Sequence, residues 1–161
     1  CPTSGRIHDV LPHFVAFEDP ERDIPPEVQA LTGITPAMVA GQRIDDAAVH
    51  ALLGQARLVI AHNAGYDRPL LERRFPAFAR KPWACSLSDV PWATRFGVRG
   101  SKLDYLLLQR CGEFFDGHRA EHDCQAAIHV LATCCEKGNP FAILREAVAR
   151  QDDSNVLRTW E

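Results

Sequence analysis

The sequence predicts an α/β layer fold. Short apolar runs of strand length alternate with stretches whose apolar residues recur at helical spacing, and no repeat or low-complexity linker interrupts them. A hydrophobic content of 46% and a charged content of 24% over 161 residues suit one globular domain with a substantial core, and residues 1–161 read as that single domain.

Taken in order, residues 13–17 (His-Phe-Val-Ala-Phe) read as a strand, with Gly5 as the turn of a hairpin whose other strand lies upstream. A polar, proline-rich loop follows over residues 18–26. Residues 26–31 form a short helix closed by Gly33. Thr35-Pro36 is an N-cap with proline at the first helical position, opening a short helix that Gly41 ends. Asp45 caps the next helix, with Val49, Leu52 and Leu53 on one face. Leu58-Val59-Ile60-Ala61 is an apolar run between polar flanks, the pattern of a buried parallel strand. A helix then spans residues 64–75, with Leu70, Leu71 and Phe75 toward the core, and residues 83–85 are a further short strand. Ser101 caps a helix carrying Leu103, Leu106 and Leu107. Residues 116–118 are a turn, residues 120–135 an amphipathic helix with Ala127, Ile128, Leu131 and Cys135 on its apolar face, and residues 141–149 a last helix before a weakly patterned tail.

Composition removes several classes. No apolar run reaches the roughly 18 residues of a membrane span, and no basic stretch followed by an apolar one opens the chain, so a cytoplasmic protein is expected. The six cysteines show no C-x-x-C spacing and lie mostly within apolar patterns, as buried reduced thiols would. A net charge of −3 argues against a module that grips nucleic acid through a basic face. It is compatible with an acidic site that recruits divalent metal, which in turn attracts phosphate.

The residues that carry chemistry fall in two groups. Asp67 lies one helical turn beyond the strand at residues 58–61, where ligands gather in α/β sheets. Asn63, four residues earlier, can fix the strand-to-helix turn by capping. His118 sits on a glycine-containing turn and Asp123 in the first turn of the following helix, which brings a mobile base near a fixed carboxylate. Alone, each reads as a surface histidine or a helix-N-terminal carboxylate; together they match what metal-assisted phosphodiester hydrolysis requires, carboxylates from different elements and a base at neutral pH.

The string Val59-Ile60-Ala61-His62-Asn63-Ala64-Gly65-Tyr66-Asp67 resembles the second motif of the DnaQ-like (DEDDh) 3'→5' exonucleases, with Tyr66 where Phe is more usual and read here as core packing. His118-Arg119-Ala120-Glu121-His122-Asp123 is similar to that family's third motif. Thr32-Gly33-Ile34 resembles the loop that packs near the terminal nucleotide; Trp83-Ala84-Cys85-Ser86 and Lys102-Leu103-Asp104-Tyr105-Leu106 also look like family segments and read as structural.

The resemblance, covering about residues 5–132, implies an RNase H-like mixed sheet flanked by helices and a 3'→5' exonuclease releasing nucleoside monophosphates from single-stranded DNA or RNA, DNA favoured. It implies two divalent ions, Mg²⁺ or Mn²⁺, held in part by Asp67 and Asp123, with His118 as general base and Thr32, Gly33, Ile34 and Asn63 contacting substrate. A polymerase or a second copy of the chain is the protein partner it allows, and a membrane is not. The family's first motif, an Asp-x-Glu pair on the central strand, is not where it belongs. Asp19-Pro20-Glu21 mimics it, but proline cannot donate in a central strand and the segment aligns with a later loop. The first strands are thus expected upstream, in about 30–40 residues before Cys1. Two other readings stand beside this one: a non-catalytic binding or scaffold module of the same fold, and a zinc hydrolase using His118, His122 and Asp123, which lacks the glutamate a helical metalloprotease motif would place at position 119.

Overall fold

The computed structural model describes residues 6–115 and 117–158, with side chains up to residue 149. The order is α1 (Pro26–Thr32), α2 (Pro36–Val39), α3 (Asp46–Gln55), β1 (Val59–Ala61), α4 (Ala64–Arg74), β2 (Trp83–Cys85), α5 (Leu103–Cys111), α6 (Ala120–Ala132) and α7 (Pro140–Arg158). A single 3₁₀ turn at Pro76–Arg80 and a π-helical turn at Trp92–Phe96 lie between these elements.

Most boundaries follow local chemistry. Pro26 starts α1, and Gly33 ends it at φ 66°, its N–H donating 2.8 Å to the Gln29 carbonyl. Asp45 caps α3, its carboxylate accepting from the N–H groups of Ala47 and Ala48 at 2.9 and 3.2 Å. Thr35 precedes α2 as expected but makes no side-chain cap bond. Lys102, not Ser101, is the N-cap of α5. Helix α6 ends at Ala132, three residues before Cys135, because the chain turns there to form the bridge between Cys135 and Gly138. Helix α7 runs to Arg158, so the expected helix of residues 141–149 is longer; the tail from residue 159 lies outside the described residues, as do Gly5 and Asp116.

The two strands pair in parallel, Val59 with Trp83, Ile60 with Ala84 and Ala61 with Cys85. Bonds from Val59 N to the Pro82 carbonyl and from Ser86 N to the Ala61 carbonyl, both 3.0 Å, extend the ladder at either end. Below it lies the core of Ala84, Leu106, Leu107, Ala126, Val130, Leu131 and Leu144, with Leu106 and Leu144 fully buried. On α6, Leu131 is buried as expected, together with Ala126 and Val130, while Ala127 and Ile128 are half-buried and Cys135 is exposed. In α3 and α4, Leu52 (48% exposed) and Leu70 (43%) face solvent, while Leu53 and Phe75 carry the burial expected of them.

Residues 87–100, for which the sequence suggested no element, hold a buried aromatic pair. Trp92 and Phe96 are buried with ring centroids 5.5 Å apart, and Trp92 Nε1 donates 2.7 Å to the Ser86 carbonyl. The Arg110 guanidinium stacks 4.5 Å from the Phe96 ring and donates from Nε to Thr133 Oγ1 at 3.0 Å, joining this turn to the end of α6.

The strand expected over residues 13–17 does not form. A strand exists through a partner's ladder, and among the described residues none pairs with this segment, which leaves Phe14 and Val15 exposed. Side chains tie the segment down instead. His13 Nε2 meets Glu121 of α6 at 2.9 Å, and Arg74 bridges Glu18 at 2.9 Å and Asp46 at 2.7 Å. Asp19 accepts from Gly41 N at 2.8 Å and from Glu21 N at 2.9 Å, and these bonds hold its carboxyl below the usual range. The Asp-x-Glu decoy is therefore a loop fastener. The cysteines from Cys85 onward are free as expected, but Cys124, Cys134 and Cys135 are exposed rather than buried.

Truncating Leu106 to alanine should cost about 2–5 kcal/mol, the range for a fully buried leucine that leaves a cavity. Urea unfolding checks this, with Leu52→Ala as a surface control expected to change stability by less than about 0.5 kcal/mol.

Candidate active site

The site forms where β1 ends. The chain leaves Ala61, and Asn63 turns it into α4 through a left-handed conformation, φ 73° and ψ 50°. Asparagine tolerates this better than most residues. The expected cap bond from the Asn63 side chain is absent. The turn is closed by backbone, Tyr66 N donating 2.9 Å to the Asn63 carbonyl, and the Asn63 side chain is exposed. One turn later α4 presents Asp67, half-buried.

The second wall is the start of α6. His118 also adopts the left-handed region, φ 71°, and its backbone N–H points to Asp123 Oδ1 at 3.3 Å. A methyl group on Gly117 would stand 3.7 Å from the same oxygen, so the 117–118 turn wraps one edge of that carboxylate. The His118 side chain is exposed and Asp123 is half-buried.

The tertiary fold brings Asp67 and Asp123 together. Burial lifts the Asp67 carboxyl above the usual carboxylate range, its own backbone N–H opposes the lift, and the Asp123 charge adds to it. Behind the pair sits His62, whose Nδ1 shares a 2.9 Å hydrogen bond with Ser86 Oγ beyond β2. Its Nε2 is buried without a hydrogen-bond partner among the described residues. Burial pushes the His62 ring below its ordinary pKa, opposed by the nearby Ser101 backbone and the Asp123 charge. The bond to Ser86 gives His62 a structural place behind the pair. Ser86, its partner and itself buried, carried no chemical signal in the sequence, because only the parallel register sets it opposite.

Tyr66, expected in the core, is 69% exposed beside Asp67. It sits in the first turn of α4. At the other candidate loop, Thr32 Oγ1 donates 2.7 Å to the Val28 carbonyl and accepts 3.2 Å from Ile34 N, so its hydroxyl is used in closing α1. Gly33 is exposed and Ile34 half-buried.

Two carboxylates from different elements, one resisting ionisation chiefly because it is buried and further because the other is charged, fit a hard divalent cation, which takes oxygen donors and keeps part of its water shell. They suit one such ion. Among the described residues no three His, Cys, Asp or Glu side chains converge as a metal cluster, so neither a second ion nor a zinc centre of His118, His122 and Asp123 finds its ligands there.

Two pH-linked outcomes follow. His62 is held neutral by burial, so the stability it contributes is full above the unfolded-state value of about 6.5 and is lost as pH falls through the lower folded value. His62→Gln should flatten the decline of Tm between pH 7 and 5; an unchanged slope would assign that decline to other groups. Asp67 has the opposite sign: its raised folded pKa gives stability that is full below about 3.9 and lost as pH rises through the folded value. Asp67→Asn should raise Tm at pH 7 and leave it unchanged near pH 3. Mg²⁺ should stabilise the parent chain, by about 1.4 kcal/mol at ten times its Kd, and not the variant.

The model of an exonuclease family, RNase T, matches residues 2–131. The PolC-type DNA polymerase III of Halalkalibacterium halodurans is 30% identical over an alignment of 129 residues that covers 76% of this chain and 9% of the polymerase. The chain thus spans about a tenth of that relative's length. Among solved structures, Exonuclease X in complex with 5' overhanging duplex DNA superimposes with a TM-score of 0.52 at 26% identity, over 80% of this chain and 74% of the other. The small parallel sheet packed among helices is consistent with the RNase H-like α/β fold. No helix among the described residues is long and apolar enough to cross a membrane. The match over most of the chain, joined to the acidic pair beyond β1, places this protein among the DnaQ-like nucleases: the chain belongs to the RNase T exonuclease family.

Proposed function

We propose that this chain is the metal-binding and base-bearing part of a 3'→5' exonuclease that removes nucleotides from single-stranded ends, with DNA the favoured substrate. The observation that carries the reading is the convergence of Asp67 and Asp123 on one spot beside His118, close enough for one acid's charge to hinder the other's ionisation.

Asp67 and Asp123 would hold Mg²⁺ or Mn²⁺, and a bound divalent ion there supplies a Lewis acid for the phosphoryl oxygens. His118 takes the proton from the attacking water through its imidazole. The exposed ring and the left-handed backbone beneath it leave it free to reach solvent. The new water-oxygen bond to phosphorus replaces the bond to the 3'-oxygen, so a nucleoside 5'-monophosphate leaves and a 3'-hydroxyl end remains. Asn63 contacts the substrate beside Asp67. The Thr32–Ile34 loop supports the terminal nucleotide through backbone and the Ile34 side chain, since the Thr32 hydroxyl is engaged. A second ion would need carboxylates beyond those described. The likeness to a polymerase that exceeds this chain many times in length supports a polymerase as the protein partner.

Trimming of 5'-labelled single-stranded DNA and RNA in Mg²⁺ or Mn²⁺ tests this. A ladder shortening from the 3' end, reduced at least a hundredfold in His118→Ala and abolished in Asp123→Asn, is the expected result. Cleavage at internal sites, or trimming that survives both substitutions, would overturn it. Metal-dependent binding of the DNA without trimming would favour the non-catalytic module.

A further inference from the structure

Arg119 is the residue between the catalytic candidate His118 and helix α6, and it stands apart from two other half-buried arginines, Arg74 and Arg110. Arg74 is neutralised by Glu18 and Asp46, and Arg110 is spent on Thr133 and two aromatic rings. Arg119 makes no ion pair among the described residues. The acid nearest to it in sequence, Glu121, is taken by His13 at 2.9 Å.

Its position is set by backbone. As the N-cap of α6 it adopts an extended conformation, φ −113° and ψ 123°, and its carbonyl accepts from Asp123 N at 2.9 Å. Its side chain reaches the turn after α1, where a methyl group on Gly33 would lie 3.6 Å from Arg119 Nη1. The guanidinium thus links two stretches far apart in sequence, the 32–34 loop and the 118–123 turn. A half-buried cation with no counter-ion among the described residues, four positions from Asp123 in the chain, holds its charge for something anionic that comes from solution. The planar fork suits phosphate.

Building on the nuclease reading above, we propose that Arg119 is a substrate-positioning residue that grips a backbone phosphodiester of the 3'-terminal segment, the linkage next to the one at Asp67 and Asp123, and holds it against the Gly33 turn. The chain's net charge of −3 makes such a contact matter more. With little general basic attraction, a single placed cation carries much of the hold on the strand and sets its register.

The test is binding of a fluorescein-labelled oligothymidylate in EDTA, where no cleavage occurs, by the parent chain and by Arg119→Ala and Arg119→Lys. Arg119→Ala should weaken binding about tenfold, as loss of one charge-assisted contact does, and lessen its salt dependence by about 0.7 in the logarithmic slope. Arg119→Lys should restore the slope and only part of the affinity. Oligonucleotides with one neutral methylphosphonate at successive 3' linkages then locate the contact. Neutralising the linkage next to the terminal one should weaken the parent and leave Arg119→Ala unaffected. Equal affinity of parent and Arg119→Ala, or an identical methylphosphonate profile for both, overturns the proposal, and matched Tm values separate it from a folding defect. Trimming with a flat profile would sink this inference and spare the nuclease reading; a lost profile in Arg119→Ala without any trimming would do the reverse.

Discussion

Everything at the site depends on the parallel pairing of two three-residue strands. The register that sets Ala61 beside Cys85 also sets Ser86 N on the Ala61 carbonyl and Ser86 Oγ on His62. That fixes where β1 stops, and Asn63 must then turn left-handed to start α4, which presents Asp67 one turn on. A one-residue slip of such a ladder would turn every side chain to the other face. His62 would lose Ser86, and Asp67 would leave Asp123. So short a sheet holds because fully buried Leu106, Leu144 and Val130, from α5, α7 and α6, are packed beneath it.

The site is a place of electrostatic tension. Elsewhere several charges are matched: Arg74 serves two acids, Arg68 bonds Glu72 at 2.6 Å within one helix, and Glu121 meets His13. At the end of β1 two carboxylates approach each other, and a buried ring nitrogen of His62 goes unbonded among the described residues. Folding that brings like charges together costs stability, and such a cost persists where it serves a cation or a reaction.

Much of this was legible in the chain. Strand β1, helix starts at Asp45 and Pro26, and the stop at Gly33 follow from side chains that act on their own backbone. Asp67, His118 and Asp123 could be picked out because each has a local setting, a strand end or a helix start, that the sequence displays. Tyr66 and Leu70 were misjudged for the opposite reason. On a helix over a sheet that is two strands wide among the described residues, the apolar stripe is narrower than a period alone suggests, and both residues face solvent. Residues 13–17 show the same limit. Their pattern is that of a strand, and a strand also needs a neighbour.

The sequence alone determined which residues could do chemistry and which turns would hold them, since capping, left-handed turns and apolar runs are decided within a few residues. Only the tertiary structure decided that Asp67 and Asp123, 56 positions apart in number, share one spot, that Ser86 supports His62, and that Arg119 lies against Gly33. The physical reason is that each of these contacts depends on the register of a ladder or the docking of a helix on the core, and those are settled by the packing of the whole chain.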